Sequence, residues 1–244
     1  MNVLHSYRRA MLVHLGCTSL LLISIVPRCL AQARVSDAPI KVAAAAPITL
    51  VKPTTPTKRP GADGFLQRWL VLEPIPANGL TDAAVQGIVK KDYFPDQFTV
   101  IPHDGDKVSV GDTALIWHAL DTRNYNFDLY HFANGLGRPT SNVLFWAVTI
   151  VNAPQEMHDV RVAIGSNAAS VTWLNGKEVV DIYGDRQTVI DDGVSKRLTL
   201  NKGPNVLRVA VVNGGGATDF CARFLDARDK PIKDLTLSLS ESIQ

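Results

Sequence analysis

Cysteine is scarce in this chain, and the scarcity excludes much. Only three occur in 244 residues, and two of them, Cys17 and Cys29, fall in an N-terminal stretch that reads as a removable export signal. Without that stretch Cys221 stands alone, so no internal disulfide can form and the fold must rest on its core. Cys221 lies in the apolar run Phe220-Cys221-Ala222, which predicts a buried, inert thiol. The histidines show no His-x-His or His-Glu-x-x-His spacing, and there are no cysteine pairs, so the common zinc patterns are missing. A Gly-x-Ser-x-Gly nucleophile elbow is missing too. No basic stripe accompanies the aromatics, which argues against nucleic acid as a partner.

Met1 to Ala33 has the parts of a signal peptide: Arg8 and Arg9, a mostly apolar run from Ala10 to Val26, Pro27, and the small-x-small triplet Ala31-Gln32-Ala33. The apolar run is short for a membrane span and contains His14. The expectation is export to the periplasm or the extracellular space, with no stable span after cleavage. Arg8, Arg9 and Arg28 are the only charges in the segment, so the 25 basic residues fall by three to 22, against 23 acidic ones. The exported chain is near neutral, and its basic pI is no sign of an anionic partner.

Residues 34–61 carry Pro39, Pro47, Pro53, Pro56 and Pro60 and an Ala43–Ala46 run. Proline at this density denies helix and ladder hydrogen bonds, so a disordered Pro/Ala/Thr-rich tether is expected there. Residues 62–244 then read as one domain. Val171-Thr172-Trp173-Leu174-Asn175-Gly176 runs apolar, β-prone residues into a pair that suits a type I′ turn, which predicts a tight hairpin. Asn142 to Val151 is apolar on both alternating faces, as a strand buried between two layers should be. Val194 to Leu200 and Val206 to Val212 read as a second hairpin across residues 201–205. Asp234 to Leu239 alternates as a last strand, and only Asp82 to Lys91 reads as a helix, capped by Thr81 or Asp82. Many short strands, Gly/Asn turns and one short helix predict an all-β fold, a jelly-roll β-sandwich.

Several segments carry a family likeness in the same order along the chain. They are Phe65 to Pro76, Gly165-Ser166-Asn167, Trp173-Leu174-Asn175-Gly176-Lys177, Leu198 to Gly203, Asn205 to Val209, and Asn213-Gly214-Gly215 to Phe220. This pattern resembles the galactose-binding-like jelly-roll modules attached to bacterial polysaccharide-degrading proteins, and such modules are often associated with acetylxylan esterases. The resemblance implies a xylan-like, plant-polysaccharide context, with a polysaccharide, an oligosaccharide or a polysaccharide-degrading enzyme as partner. The chain departs from it at Asn167-Ala168-Ala169 and at Ala217-Thr218-Asp219.

Three chemistries have candidate residues. For an ester hydrolase the candidates are Ser166, His131 and Asp128: Ile164-Gly165-Ser166-Asn167 and Asp128-x-x-His131 resemble blocks of the GDSL hydrolases, in reversed chain order. For a metal, Asp191 and Asp192 are the candidate oxygens for a structural calcium, and Asp104-Gly105-Asp106 is a second acidic turn. Solvated turns, with Arg186 paired to Asp191 or Asp192, are the simpler expectation, so no cofactor is expected. For a sugar, aromatic faces beside polar groups are needed, and the candidates are Trp117, Tyr125, Tyr183, Asp185 and Arg186. The leading expectation is a carbohydrate-binding or carbohydrate-enzyme-associated module. The alternatives are an acetylxylan esterase-type hydrolase and a non-catalytic envelope protein-interaction domain.

Overall fold

The computed structural model describes residues 49–240. The export signal and the first part of the expected tether lie outside them. Along the chain come β1 (Leu50–Val51), β2 (Arg68–Leu72), β3 (Ile75–Pro76), helix α1 (Asp82–Lys90), β4 (Lys107–Val110), β5 (Thr113–Thr122), β6 (Phe127–Asp128) and helix α2 (Leu129–Gly135). After these come β7 (Val143–Ala153), β8 (Met157–Asn167), β9 (Ala169–Leu174), β10 (Lys177–Ile182), β11 (Gly193–Val194), β12 (Leu198–Leu200), β13 (Gly203–Asn213), β14 (Asp219–Leu225) and β15 (Thr236–Ser238). The larger sheet runs β1-β5-β2-β7-β13-β9-β10, with β3 and β15 also on β7 and β4 on β5. The smaller sheet runs β11-β8-β14-β6, with β12 on β8. The architecture is the expected all-β sandwich.

The period of two decides which side chain goes where. Val143, Phe145 and Ala147 of β7 and Leu207, Val209 and Val211 of β13 meet Val160, Val162 and Ile164 of β8 and Phe220, Ala222 and Phe224 of β14, forming the core between the sheets. The other faces of the same strands are not wet. Leu144, Trp146, Ala210 and Val212 lie in a second cluster with Leu70, Trp117, Val171 and Trp173, covered by Val85 and Val89 of α1 and by Phe94. The centre of the larger sheet is thus buried on both sides, which explains the unbroken apolar run read in residues 142–151.

The β9–β10 hairpin turns at Asn175 and Gly176, with φ of 50° and 79°, and pairs Leu174 with Lys177. That is the backbone the Asn-Gly pair demands. Asn175 is held further, accepting from Val206 N at 2.8 Å and donating to Asn205 Oδ1 at 3.0 Å. Thr81 caps α1 by accepting from Ala84 N.

Three expectations change. The segments 194–200 and 206–212 do not form a hairpin: β12 pairs with β8 in the smaller sheet, while β13 pairs with β7 and β9 in the larger. Leu198-Thr199-Leu200 has only an edge strand's alternation, whereas residues 207–213 are buried on both faces and need the central place. A second helix, α2, adds to the one expected helix, in a segment not read as helical. Asp128 caps it, accepting from His131 N at 2.8 Å, and Leu129, Phe132 and Ala133 give it a buried stripe. Residues 49–61 of the expected tether join the fold. Leu50 and Val51 pair with Thr122 and Asp121, Lys58 bridges to Leu237, and Pro53 and Pro56 sit between these contacts.

Candidate functional site

Loops gather at one end of the sandwich, and polar side chains tie them together. The segment after β10 folds back over β8 so closely that a Cβ on Gly165 would lie 1.9 Å from Val189 O, a place only glycine fills. Arg223 on β14 grips the returning loop through Asp191, with Nε donating to Oδ1 at 2.9 Å and Nη2 to Oδ2. Those bonds hold the Arg223 guanidinium's pKa above its ordinary value. Arg186 pairs with Asp192 in the same loop. Asp219 at the start of β14 accepts from Asn126 Nδ2 at 2.6 Å and from the Thr188 hydroxyl. Thr218 donates to Asn167 O at 2.6 Å, and the Asn167–Ala168 peptide is cis.

Between these loops lies a cleft of about 320 Å³, lined by Asn167, Asp185, Arg186, Gln187, Gly215 and Ala217. Its chemistry is amide, carboxylate and guanidinium, and Arg186 keeps a buried Nε without a partner among the described residues. Such a set donates and accepts at fixed positions, as recognition of hydroxyls requires. Asp185 and Arg186 were named from the sequence. Asn167, Gln187, Gly215 and Ala217 were not, although the turn residues around Gly215 and the departure at Asn167 marked their loops.

The expected aromatic platform does not assemble there. Trp117 is 0% exposed and packs edge-on against Phe94 within the outer cluster. Its odd position on β5, in phase with Leu115 and Ala119, turns it toward that cluster. Tyr183 lies against the same cluster with its hydroxyl accepting from Gln86 of α1, and burial raises its pKa. Tyr125 is 45% exposed but leans on Phe65. Each ring has a different neighbour, so the cleft is polar and lacks a stacking face.

The catalytic candidates separate as well. Ser166 is fully buried, its hydroxyl donating to Ala168 O at 2.8 Å and contacting Ser170 Oγ at 2.9 Å. In phase with Val162 and Ile164, it points into the sandwich, where no substrate reaches it. Asp128 and His131 do meet, at 2.6 Å, but as a helix cap and its i+3 neighbour. Asp191 and Asp192, the calcium candidates, are each taken by an arginine. Among the described residues no group of three His, Cys, Asp or Glu side chains is placed to hold a metal ion. In the other acidic turn Asp104 accepts from Ala119 N and Asp106 from His103 N. Cys221 is buried, and burial pushes its thiol up to about 12, so it is no nucleophile at neutral pH. Among the described residues no helix is long and apolar enough to cross a membrane.

No family model and no curated protein matches the chain. Among solved structures, a PA14 sugar-binding domain from an RTX adhesin is 13% identical, with 70% of this chain and 96% of that one aligned at a TM-score of 0.41. The PA14 domain of the MpAFP antifreeze protein is 10% identical over 80% of this chain and 100% of that one, at 0.43. A β-glucosidase from Kluyveromyces marxianus in complex with glucose is 16% identical over 72% of this chain and 19% of that one, at 0.39. Likeness at these scores assigns neither family nor ligand here.

Proposed function

We propose that this chain is an exported carbohydrate-binding module whose polar loop-end cleft takes the hydroxyls of an oligosaccharide, with a xylan-like polysaccharide as the ligand class. The observation that carries the reading is the cleft itself: Asp185, Arg186, Gln187 and Asn167 converge on one opening, and the ion pairs of Arg186 and Arg223 fix its rim in advance. Preorganised polar groups lose little ordering entropy when a sugar replaces water. The N-terminal signal pattern supports export, and the order of segments shared with modules of polysaccharide-degrading proteins supports the ligand class.

Affinity electrophoresis on xylan, cellulose and galactan gels tests this. Retardation on xylan is expected, with at least about a tenfold loss of affinity in Arg186→Ala, the scale of one lost charged hydrogen bond. Unchanged mobility on every gel would sink the sugar reading.

A docking module is the second reading, and a specific observation favours it. Val189 and Ile190, 56% and 45% exposed, stand out from the loop that crosses Gly165, and Val194 follows them in an exposed position. Exposed aliphatics grouped on a pinned loop suit a partner protein such as a polysaccharide-degrading enzyme. If that reading holds, Ile190→Lys abolishes capture of the partner enzyme and leaves any sugar retardation unchanged.

A further inference from the structure

Arg208 sits in the middle of β13, opposite Val148 of β7 and Trp173 of β9. Its position is in phase with Ala210 and Val212, so it enters the outer layer rather than the core between the sheets. It is 2% exposed. Nη2 donates to Val100 O at 2.7 Å, whereas Nε and Nη1 are buried and have no partner among the described residues. Burial lowers the guanidinium to about 10, which still leaves it protonated at neutral pH. A buried positive charge whose polar partner is a single carbonyl is an arrangement folding alone does not favour.

What covers Arg208 is a turn and no strand. Thr99 N and Val100 N both donate to Asp96 O, at 2.8 and 2.7 Å, in a turn outside either sheet. Phe98 rests edge-on against Trp146 and Trp173, with ring centroids 5.6 and 5.7 Å apart. Trp146 Nε1 is buried and has no acceptor among the described residues, a second unmet donor on this face. Beside the turn opens a cavity of about 200 Å³, lined by Phe98, Thr99, Asn175, Gly176, Val206 and Arg208. Asn175 is already committed to Val206 N and Asn205, so it is a fixed wall. The remaining lining offers one aromatic ring, a hydroxyl at the rim and a guanidinium.

We propose that this cavity binds a carboxylate-bearing ligand the size of one sugar ring, such as a uronic acid, with the carboxylate on Arg208 and the ring against Phe98. The ligand reaches Nε and Nη1 as Thr99 and Val100 move aside while Phe98 stays on Trp146 and Trp173 as the wall for the ring, and its oxygens supply the acceptors the fold withholds. Arginine's planar set of donors matches a carboxylate better than lysine's point charge does. The site is separate from the loop-end cleft and does not depend on the sugar reading of that cleft.

The test uses the full chain titrated with sodium glucuronate, sodium acetate and glucose at constant ionic strength, followed by calorimetry and by the arginine Nε–H resonances. Glucuronate should bind saturably and shift the Arg208 Nε–H signal, at least tenfold more tightly than acetate, and glucose should give no response. Thr99→Trp, at the exposed rim, should remove the binding with Tm unchanged. Arg208→Met should abolish binding while Tm holds or rises; a merely structural arginine would lower it. Arg186→Ala should leave glucuronate binding intact, so failure here and failure at the cleft are distinguishable. The proposal is overturned by absence of saturation with glucuronate, or by saturation that survives Thr99→Trp. Acetate binding as tight as glucuronate would overturn the sugar-acid assignment.

Discussion

Arg68 and Arg208 are buried on the same outer face of the larger sheet, 1% and 2% exposed, but they live under opposite conditions. Arg68 donates to both oxygens of Asp121, Nε to Oδ1 at 2.8 Å and Nη2 to Oδ2 at 3.0 Å, and its Nη1 donates to Thr55 O at 2.8 Å. Every nitrogen is used, and the pair ties the N-terminal segment to β2 and β5. Among the described residues Arg208 has one carbonyl and two idle nitrogens. Burial of a charge therefore means different things at the two sites. At Arg68 it builds a fastening, and at Arg208 it leaves a demand for an acceptor.

The largest way to break the comparison is to remove each charge in turn. Arg68→Met leaves Asp121 with Lys58 at 3.5 Å as its one remaining cation among the described residues and should cost about 3–5 kcal/mol in denaturant unfolding. Arg208→Met leaves no carboxylate behind and should be neutral or stabilising by up to about 2 kcal/mol. Equal losses in the two variants would mean that pairing does not distinguish the sites.

Next in size is the ion pair under the cleft. Asp191→Asn keeps the shape of the contact but removes the charge that Arg223 grips, and about 1–2 kcal/mol of stability should go with it. Because the pair pins the loop carrying Asp185 to Gln187, oligosaccharide affinity should fall as well, which separates it from Arg68→Met at matched stability.

Cys221 shows a third way to bury an ionisable group, by keeping it neutral. Its folded value of about 12 lies above the ordinary 9.0. Below pH 9 neither state ionises the thiol, so its stabilising contribution is fully present. Above pH 9 the unfolded chain releases the proton first, and stability falls until the pH passes the folded value. The loss at pH 10 should be about 1 kcal/mol, read as the difference between the wild type and Cys221→Ala in unfolding midpoints from pH 8 to 10. Identical pH slopes for the two proteins would contradict it.

How much of this was legible in the sequence depends on which physical rule wrote it. Local rules were readable: the Asn175-Gly176 turn, the Thr81 cap, and residues 142–151 as a strand buried on both faces. Which sheet a strand joins was not, because β12 and β13 carry compatible apolar patterns and only three-dimensional burial separates an edge from a centre. The same holds for rings. Trp117 has the composition of a ligand contact, but its phase on β5, once the sheet is known, sends it into the outer cluster. Asp185 and Arg186 were found because polar residues crowd an expected loop. Arg208 was missed, although an arginine inside the apolar run 206–212 is a signal: an interior strand leaves it no route to water.

The smallest effect sharpens the comparison most closely, because it concerns a carboxylate bonded to β5, the strand that carries Asp121. Asp104 accepts from Ala119 N at 2.9 Å and meets Lys52 at 3.1 Å, a bond pattern similar to Asp121's but with much of the side chain in water. The Ala119 N–H, ahead of the opposing effect of burial and the help of Lys52, holds its carboxyl below the ordinary 3.8. A depressed carboxyl stabilises the fold above its unfolded value and loses that contribution as pH falls through the folded one. Asp104→Asn should therefore flatten the acid limb below about pH 4, and with water screening the gap should stay near 0.5 kcal/mol. Asp121 is likewise a carboxylate facing cations, Arg68 and Lys58, but it is largely out of water. If Asp104→Asn cost as much as Arg68→Met, burial would not be what makes the Arg68 fastening strong, and the contrast with Arg208 would need another cause.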